Sequence, residues 1–242
     1  MRAVLQNALF LISVVGLVGC GTMNAARPLD PGDHMVGVTF GGPFTTSLGP
    51  PIPVPNLMIE GRSGLEPIGG KPVDVNYGVN ALAAAFGLIG LHGGATMHFL
   101  EQDGARPALS VTERVHFYNN WLDNTKPKES RKPWGVNELD VTASWNMGPH
   151  LVYLGGSDVI DMADPELLVA PFIGVVLQPE EKRFRFQVES RLLGANFSPE
   201  VWDLSWLSPG ASSVEGEEAP GQGLVSITLT AAWKLGQSGG EK

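Results

Sequence analysis

Among 242 residues there is one cysteine, Cys20, so an intramolecular disulfide is excluded and stability has to come from packing and backbone pairing. Charge is also scarce. Only 17% of residues are charged, and 16 Lys and Arg stand against 25 Asp and Glu, a formal net charge of -9 that argues against a nucleic-acid partner. So few charges, with as many as 31 glycines, fit neither a disordered chain nor a helical bundle. No apolar run reaches the about 20 residues that a membrane-spanning helix requires; the stretch from Ala8 to Val18 falls short. Catalytic signatures are missing too: there is no Gly-x-Ser-x-Gly elbow, no phosphate-cradling glycine loop followed by Lys and Ser or Thr, and no His-Glu-x-x-His.

What the chain does have is alternation with a period of two, the mark of a strand with two unlike faces. Val36, Val38 and Phe40 alternate with Gly37 and Thr39, and Leu57 and Ile59 with Met58, Glu60 and Arg62. Val75, Tyr77 and Val79 oppose Asp74, Asn76 and Gly78; Leu91, Ala95, Met97 and Phe99 oppose His92, Gly94, Thr96 and His98. Leu109, Val111, Val115 and Phe117 oppose Ser110, Thr112, Arg114 and His116. Leu139 to Met147 alternates without a fault against Glu138, Asp140, Thr142, Ser144 and Asn146. Shorter segments at 151–155, 167–177 and 184–191 follow, and Val225 to Trp233 is the last. The expected fold is all-β, an antiparallel meander barrel of about 8–10 strands.

Alternation does not say which face is inside. A soluble barrel or sandwich buries the apolar face, whereas a membrane barrel turns it to lipid. Loop lengths favour the membrane barrel: long connections at 43–56, 119–137 and 194–223 alternate with tight ones at 102–104, 148–150 and 179–182. The connection near Phe86 and Gly87 breaks that rule. On the short-turn rim the apolar face is expected to carry Tyr77, Phe99, Trp145, Tyr153, Phe184 and Trp233, an interfacial girdle, with Trp145 opposite Tyr153. Three features pull toward the soluble alternative. Glu113 lies on the apolar face, Pro171 interrupts a strand, and the segment 169–176 is apolar on both faces.

The N-terminus adds a location. Arg2, the apolar stretch and the small residues before Cys20 are the parts of a secretory signal. Leu17-Val18-Gly19-Cys20 resembles a bacterial lipobox, which implies diacylglycerol on the Cys20 sulfur, cleavage before Cys20 and acylation of the new amine. Gly21, where an aspartate would imply inner-membrane retention, implies export to the outer membrane of a Gram-negative-type envelope. The rest resembles small outer-membrane β-barrel proteins, although the tail after Trp233 departs from their aromatic C-terminal end. The resulting division is a signal peptide at 1–19, a lipidated N-terminus and tether at 20–33, a barrel at 34–236 and a polar tail at 237–242. Partners follow: membrane lipid through acylated Cys20, lipopolysaccharide or a protein, with the basic loop 126–132 facing anionic groups, and no nucleic acid.

If the polar face is luminal, Glu60, Arg62, Asp74, Arg114, His116, Asp140, Arg185, Glu189 and Arg191 share a narrow interior and must pair. Such a barrel holds a side-chain plug and has a structural or binding role. His92, His98 and His116 are the nearest approach to a metal site, but a turn at 102–104 pairs His92 with Arg114 and leaves no metal expected. No cofactor is expected either. A periplasm-facing soluble barrel that binds an apolar ligand or a protein is the alternative. A barrel enzyme acting on envelope lipid, built from Ser110, Ser144, Asp140 and the histidines, is a third reading without support from their spacing.

Overall fold

The computed structural model describes residues 22–45, 52–53, 56–85, 88–120, 133–162, 167–177, 183–196 and 224–235. Its elements are β1 (His34–Thr45), β2 (Ile52–Pro53), β3 (Asn56–Ile68), β4 (Lys71–Asn80), α1 (Ala81–Ala85), β5 (Leu88–Leu100), β6 (Ala108–Asn120), β7 (Trp134–Met147), β8 (His150–Asp161), β9 (Leu167–Val176), β10 (Phe184–Leu193) and β11 (Leu224–Leu235). Every long strand pairs antiparallel with its neighbours in the chain, and β11 returns to β1, so ten strands close into a meander barrel. Closure removes both sheet edges and satisfies the backbone without help from solvent. The small β2 only extends the end of β1, at Phe44 and Thr45.

The alternation seen in the sequence becomes an inverted polarity. Glu60, Asp74, Arg114, Glu138, Asp140, Glu189 and Arg191 are all buried, whereas Phe40, Ile59, Leu91, Val141, Leu154, Ile173 and Trp233 are exposed. Val141, at the middle of β7, is 50% exposed between Asp140 and Thr142, which are 1% and 2% exposed. The apolar face therefore points outward all round the barrel, and Glu113 points outward with it, accepting a hydrogen bond from Asn137 Nδ2 at 3.1 Å.

Turn chemistry sets the short rim. Gly69 and Gly70 (φ 59° and 74°) make the β3–β4 turn, and Gly148 (φ 62°) lies between Met147 and His150, which pair directly. Positive φ at these positions matches the twist of a tight hairpin. Gly148 and Pro149 form a two-residue connection, so Trp145 stands opposite Val152 and Ser144 opposite Tyr153. Tyr153 consequently points inward, fully buried, and leaves the girdle; Tyr77, Phe99, Trp145, Phe184 and Trp233 remain on the outer wall. Phe184 and Trp233 meet there with ring centroids 5.3 Å apart.

The β5–β6 register also differs from expectation. Asp103 and Arg106 close the hairpin with mutual backbone bonds, and a bulge follows between His98 and Leu100, so His92 pairs with His116 and Gly94 takes the place opposite Arg114. The shift is two residues, which keeps every side chain on its expected face.

Pro171 faces outward opposite Gly156 of β8, just beyond the point where the β9–β10 ladder ends at Phe172 and Arg191, so its missing N–H interrupts no pairing there. The inward half of that two-faced apolar strand has a partner of its own: Phe172 and Val176 pack with Tyr153 and with Ala26 of the N-terminal segment. The connection around Phe86 and Gly87, too short for the long-loop rim, is preceded by the helical turn α1.

The largest departure concerns the expected tether. From Thr22 onward the segment before β1 does not trail away from the barrel. Thr22, Met23, Asn24, Ala25, Ala26 and Leu29 are 1–8% exposed, and they lie inside it. The chain turns at Gly32 (φ 82°), where Gly32 N–H donates to Gly64 O at 3.1 Å and Asp33 N–H to Asp30 O at 2.9 Å, and enters β1 at the short-turn rim. Composition concealed this, because a segment that fills a polar lumen has no amphipathic period to show.

Candidate functional site

Inward positions on nearly every strand converge on a lumen too narrow to hydrate each charge separately, so the charges are arranged in pairs. At the level nearest the short turns, Arg62 of β3 and Asp74 of β4 form an ion pair; His98 Nε2 lies 2.7 Å from Asp74, whose other oxygen accepts from the Leu29 N–H at 3.0 Å. Above them Glu60 receives the Met23 N–H on both oxygens, at 3.1 and 2.9 Å, and the Thr39 hydroxyl at 2.6 Å.

The largest assembly crosses the barrel. Arg114 of β6 contacts Asp140 at 2.6 Å and Glu138 at 3.3 Å, both on β7. Arg191 of β10 reaches over β8 and β9 to Glu138 at 2.5 Å, also contacts Glu189 at 3.1 Å, and donates to Ser157 Oγ at 2.9 Å. Its guanidinium rests 4.8 Å from the centre of the Phe172 ring. Tyr153 donates its phenolic hydrogen to Glu189 at 2.9 Å, and His116 Nε2 sits 3.0 Å from Glu138. Two carboxylates shared by two arginines on opposite walls brace the cross-section like struts.

Of the nine residues expected to share the interior, Glu60, Arg62, Asp74, Arg114, His116, Asp140, Glu189 and Arg191 are buried there. Arg185 is on the same face of β10 but only half-buried, beside a cavity of about 230 Å³ near the short-turn rim that Met23, Arg62, Gln187 and Thr230 also line. Glu138 and His98 are members that reasoning from the sequence left out of the network, although the place of Glu138 two residues before Asp140 on an alternating strand puts it on the same wall. Tyr153 could not have been assigned without the two-residue turn. Lys126 and the rest of the basic loop, Cys20, the signal segment and the polar tail lie outside the described residues.

The groups considered for hydrolysis are committed elsewhere. Ser110 and Ser144 donate to the carbonyls of Ala25 and Ala26, at 3.5 and 3.0 Å, and Asp140 is held by Arg114 and Ser157. His92 and His116 do stand side by side, ring centroids 5.3 Å apart, but among the described residues no group of three or more His, Cys, Asp or Glu is placed to hold a metal ion. The chain matches no protein-family model, and no curated protein matches it.

Proposed function

We propose that this protein is a lipid-anchored barrel of a bacterial outer membrane, with its β-strands crossing the bilayer and a lumen braced by paired charged side chains that serves a structural or binding role. The observation that carries this reading is the inverted polarity of a closed barrel: apolar side chains cover the outer wall while Arg114, Glu138, Asp140, Glu189 and Arg191 fill the interior. In water such a wall would leave the apolar surface of ten strands exposed, an area far beyond the few hundred Å² a monomeric soluble protein tolerates. In a bilayer the same wall is what the solvent demands. The ten barrel strands, of 10 to 14 residues, also reach the about 9–11 that a tilted strand needs to cross the hydrocarbon layer.

The lipobox-like segment supports the anchor, and the asymmetry of the rims supports the orientation, with short turns toward the periplasm and long loops outward. A chain covering residues 21–242, produced without acyl groups, should stay folded only in detergent micelles or lipid vesicles. A folded, monomeric domain in plain buffer would rule the membrane barrel out in favour of a soluble binding barrel.

A further inference from the structure

The lower lumen is built to hold an extended peptide. Its donors and acceptors address backbone groups in turn: Glu60 takes the N–H of Met23, Asp74 that of Leu29, Ser110 and Ser144 donate to the carbonyls of Ala25 and Ala26, and Arg62 donates to that of Arg27. Asn24 adds its side-chain amide to Glu189 at 3.4 Å. Side-chain selection is steric and apolar. Ala25 is 1% exposed, so a larger residue has no room, Ala26 packs on Tyr153, Phe172 and Val176, and Met23 and Leu29 pack on Met35 and Ala232.

This site conflicts with an acyl anchor. Cys20 is two residue steps from Thr22, a reach of at most about 7 Å. Thr22 is 4% exposed, and the neighbouring Met23 is bonded to Glu60 deep in the barrel. In a wall whose apolar band is about 25 Å tall, a point at mid-depth is roughly 12 Å from either rim before the chain can even begin to round the wall. A lipid on Cys20 cannot enter the bilayer while residues 22–26 stay docked. Swung out on the Gly32 turn, the same segment has 11 residues between Gly32 and Cys20, an extended span of roughly 40 Å, which is ample. The balance favours the lipid, because each acyl methylene in the bilayer contributes about as much as one net hydrogen bond, and dozens of methylenes oppose half a dozen bonds.

We infer that the lumen is a peptide-binding site whose resident ligand is residues 22–29 of the chain itself, and that acylation of Cys20 withdraws this segment and opens the site to an extended peptide with small residues at its centre. The inference rests on the lipoprotein reading above. Two forms of the full protein test it, both reconstituted in phosphatidylethanolamine–phosphatidylglycerol vesicles: one made with its native leader, the other carrying Cys20→Ser behind a leader cleaved by ordinary signal peptidase. Radioactive fatty acid reports acylation independently. Asn24→Cys in each form is probed with a charged maleimide, and a fluorescent synthetic peptide of residues 22–31 is titrated against both forms without that substitution.

The acylated form should bind the peptide saturably, and its Asn24→Cys thiol should react freely. In the unacylated form peptide binding should be absent and labelling at least about tenfold slower, since it waits on undocking. Equal protection of the thiol in both forms, with the fatty acid present, overturns the withdrawal. Free reaction in both forms, or no peptide binding to the acylated one, overturns the site. A native-leader form without fatty acid overturns the lipoprotein reading instead, and the inference with it.

Discussion

Arg191 shows how much a single side chain holds together. It touches Glu138, Glu189 and Ser157 from one strand and lies against Phe172 of the next. Arg191→Met keeps most of the volume over the ring but leaves two buried carboxylates short of positive charge, a loss of about 3–5 kcal/mol. Urea unfolding in vesicles measures it, with Lys126→Glu in a long loop as the control, expected within about 0.5 kcal/mol of the parent. Adding Glu189→Gln to Arg191→Met should recover part of the loss, because the second change removes a charge the first left unpaired. Simple additivity of the two would mean that the lumen is wet enough to screen them.

At the scale of elements, the closing seam between β1 and β11 is the vulnerable one, because it joins the two ends of the described barrel. Gly41 sits in that seam at φ 141°, and a Cβ there would lie 2.1 Å from the carbonyl oxygen of Ile227. Gly41→Ala must push β11 away or twist β1, so it should cost about 1–3 kcal/mol and weaken closure. The check is gel mobility before and after heating in dodecyl sulfate, where a closed barrel migrates ahead of its unfolded form. Gly93→Ala, on the outer wall with open space around its Cβ position, is the comparison and should migrate like the parent. A Gly41→Ala barrel as resistant to heat as the parent would show that the seam has slack.

The whole molecule presents one solvent with an apolar belt and encloses another, and depth within the belt should govern tolerance to charge. Val141→Arg, at the middle of β7, should cost about 2–4 kcal/mol in vesicles, while Leu235→Arg at the short-turn rim should cost about 0–1 kcal/mol. Refolding titrations into vesicles separate the two. Equal penalties at both depths would contradict a bilayer-spanning belt, since only a low-dielectric slab with two boundaries produces the gradient.

Strand order, the two faces of most strands and most of the luminal charges were legible in the chain itself. Period-two alternation is a local property, and it survives a two-residue slip such as that of His92 onto His116. Whether the polar face of Leu139 to Met147 was inside was not legible, since alternation is symmetric under exchange of the faces and only closure of β11 on β1 creates an interior. Tyr153 changed sides because one residue more or less in a turn inverts a strand, and only the pairing of Met147 with His150 fixes that number. The luminal segment was the least accessible to sequence reasoning. Residues 22–30 have no period and few anchors of their own, and their place is decided by carboxylates and hydroxyls drawn from distant strands, which meet only once the barrel has closed around them.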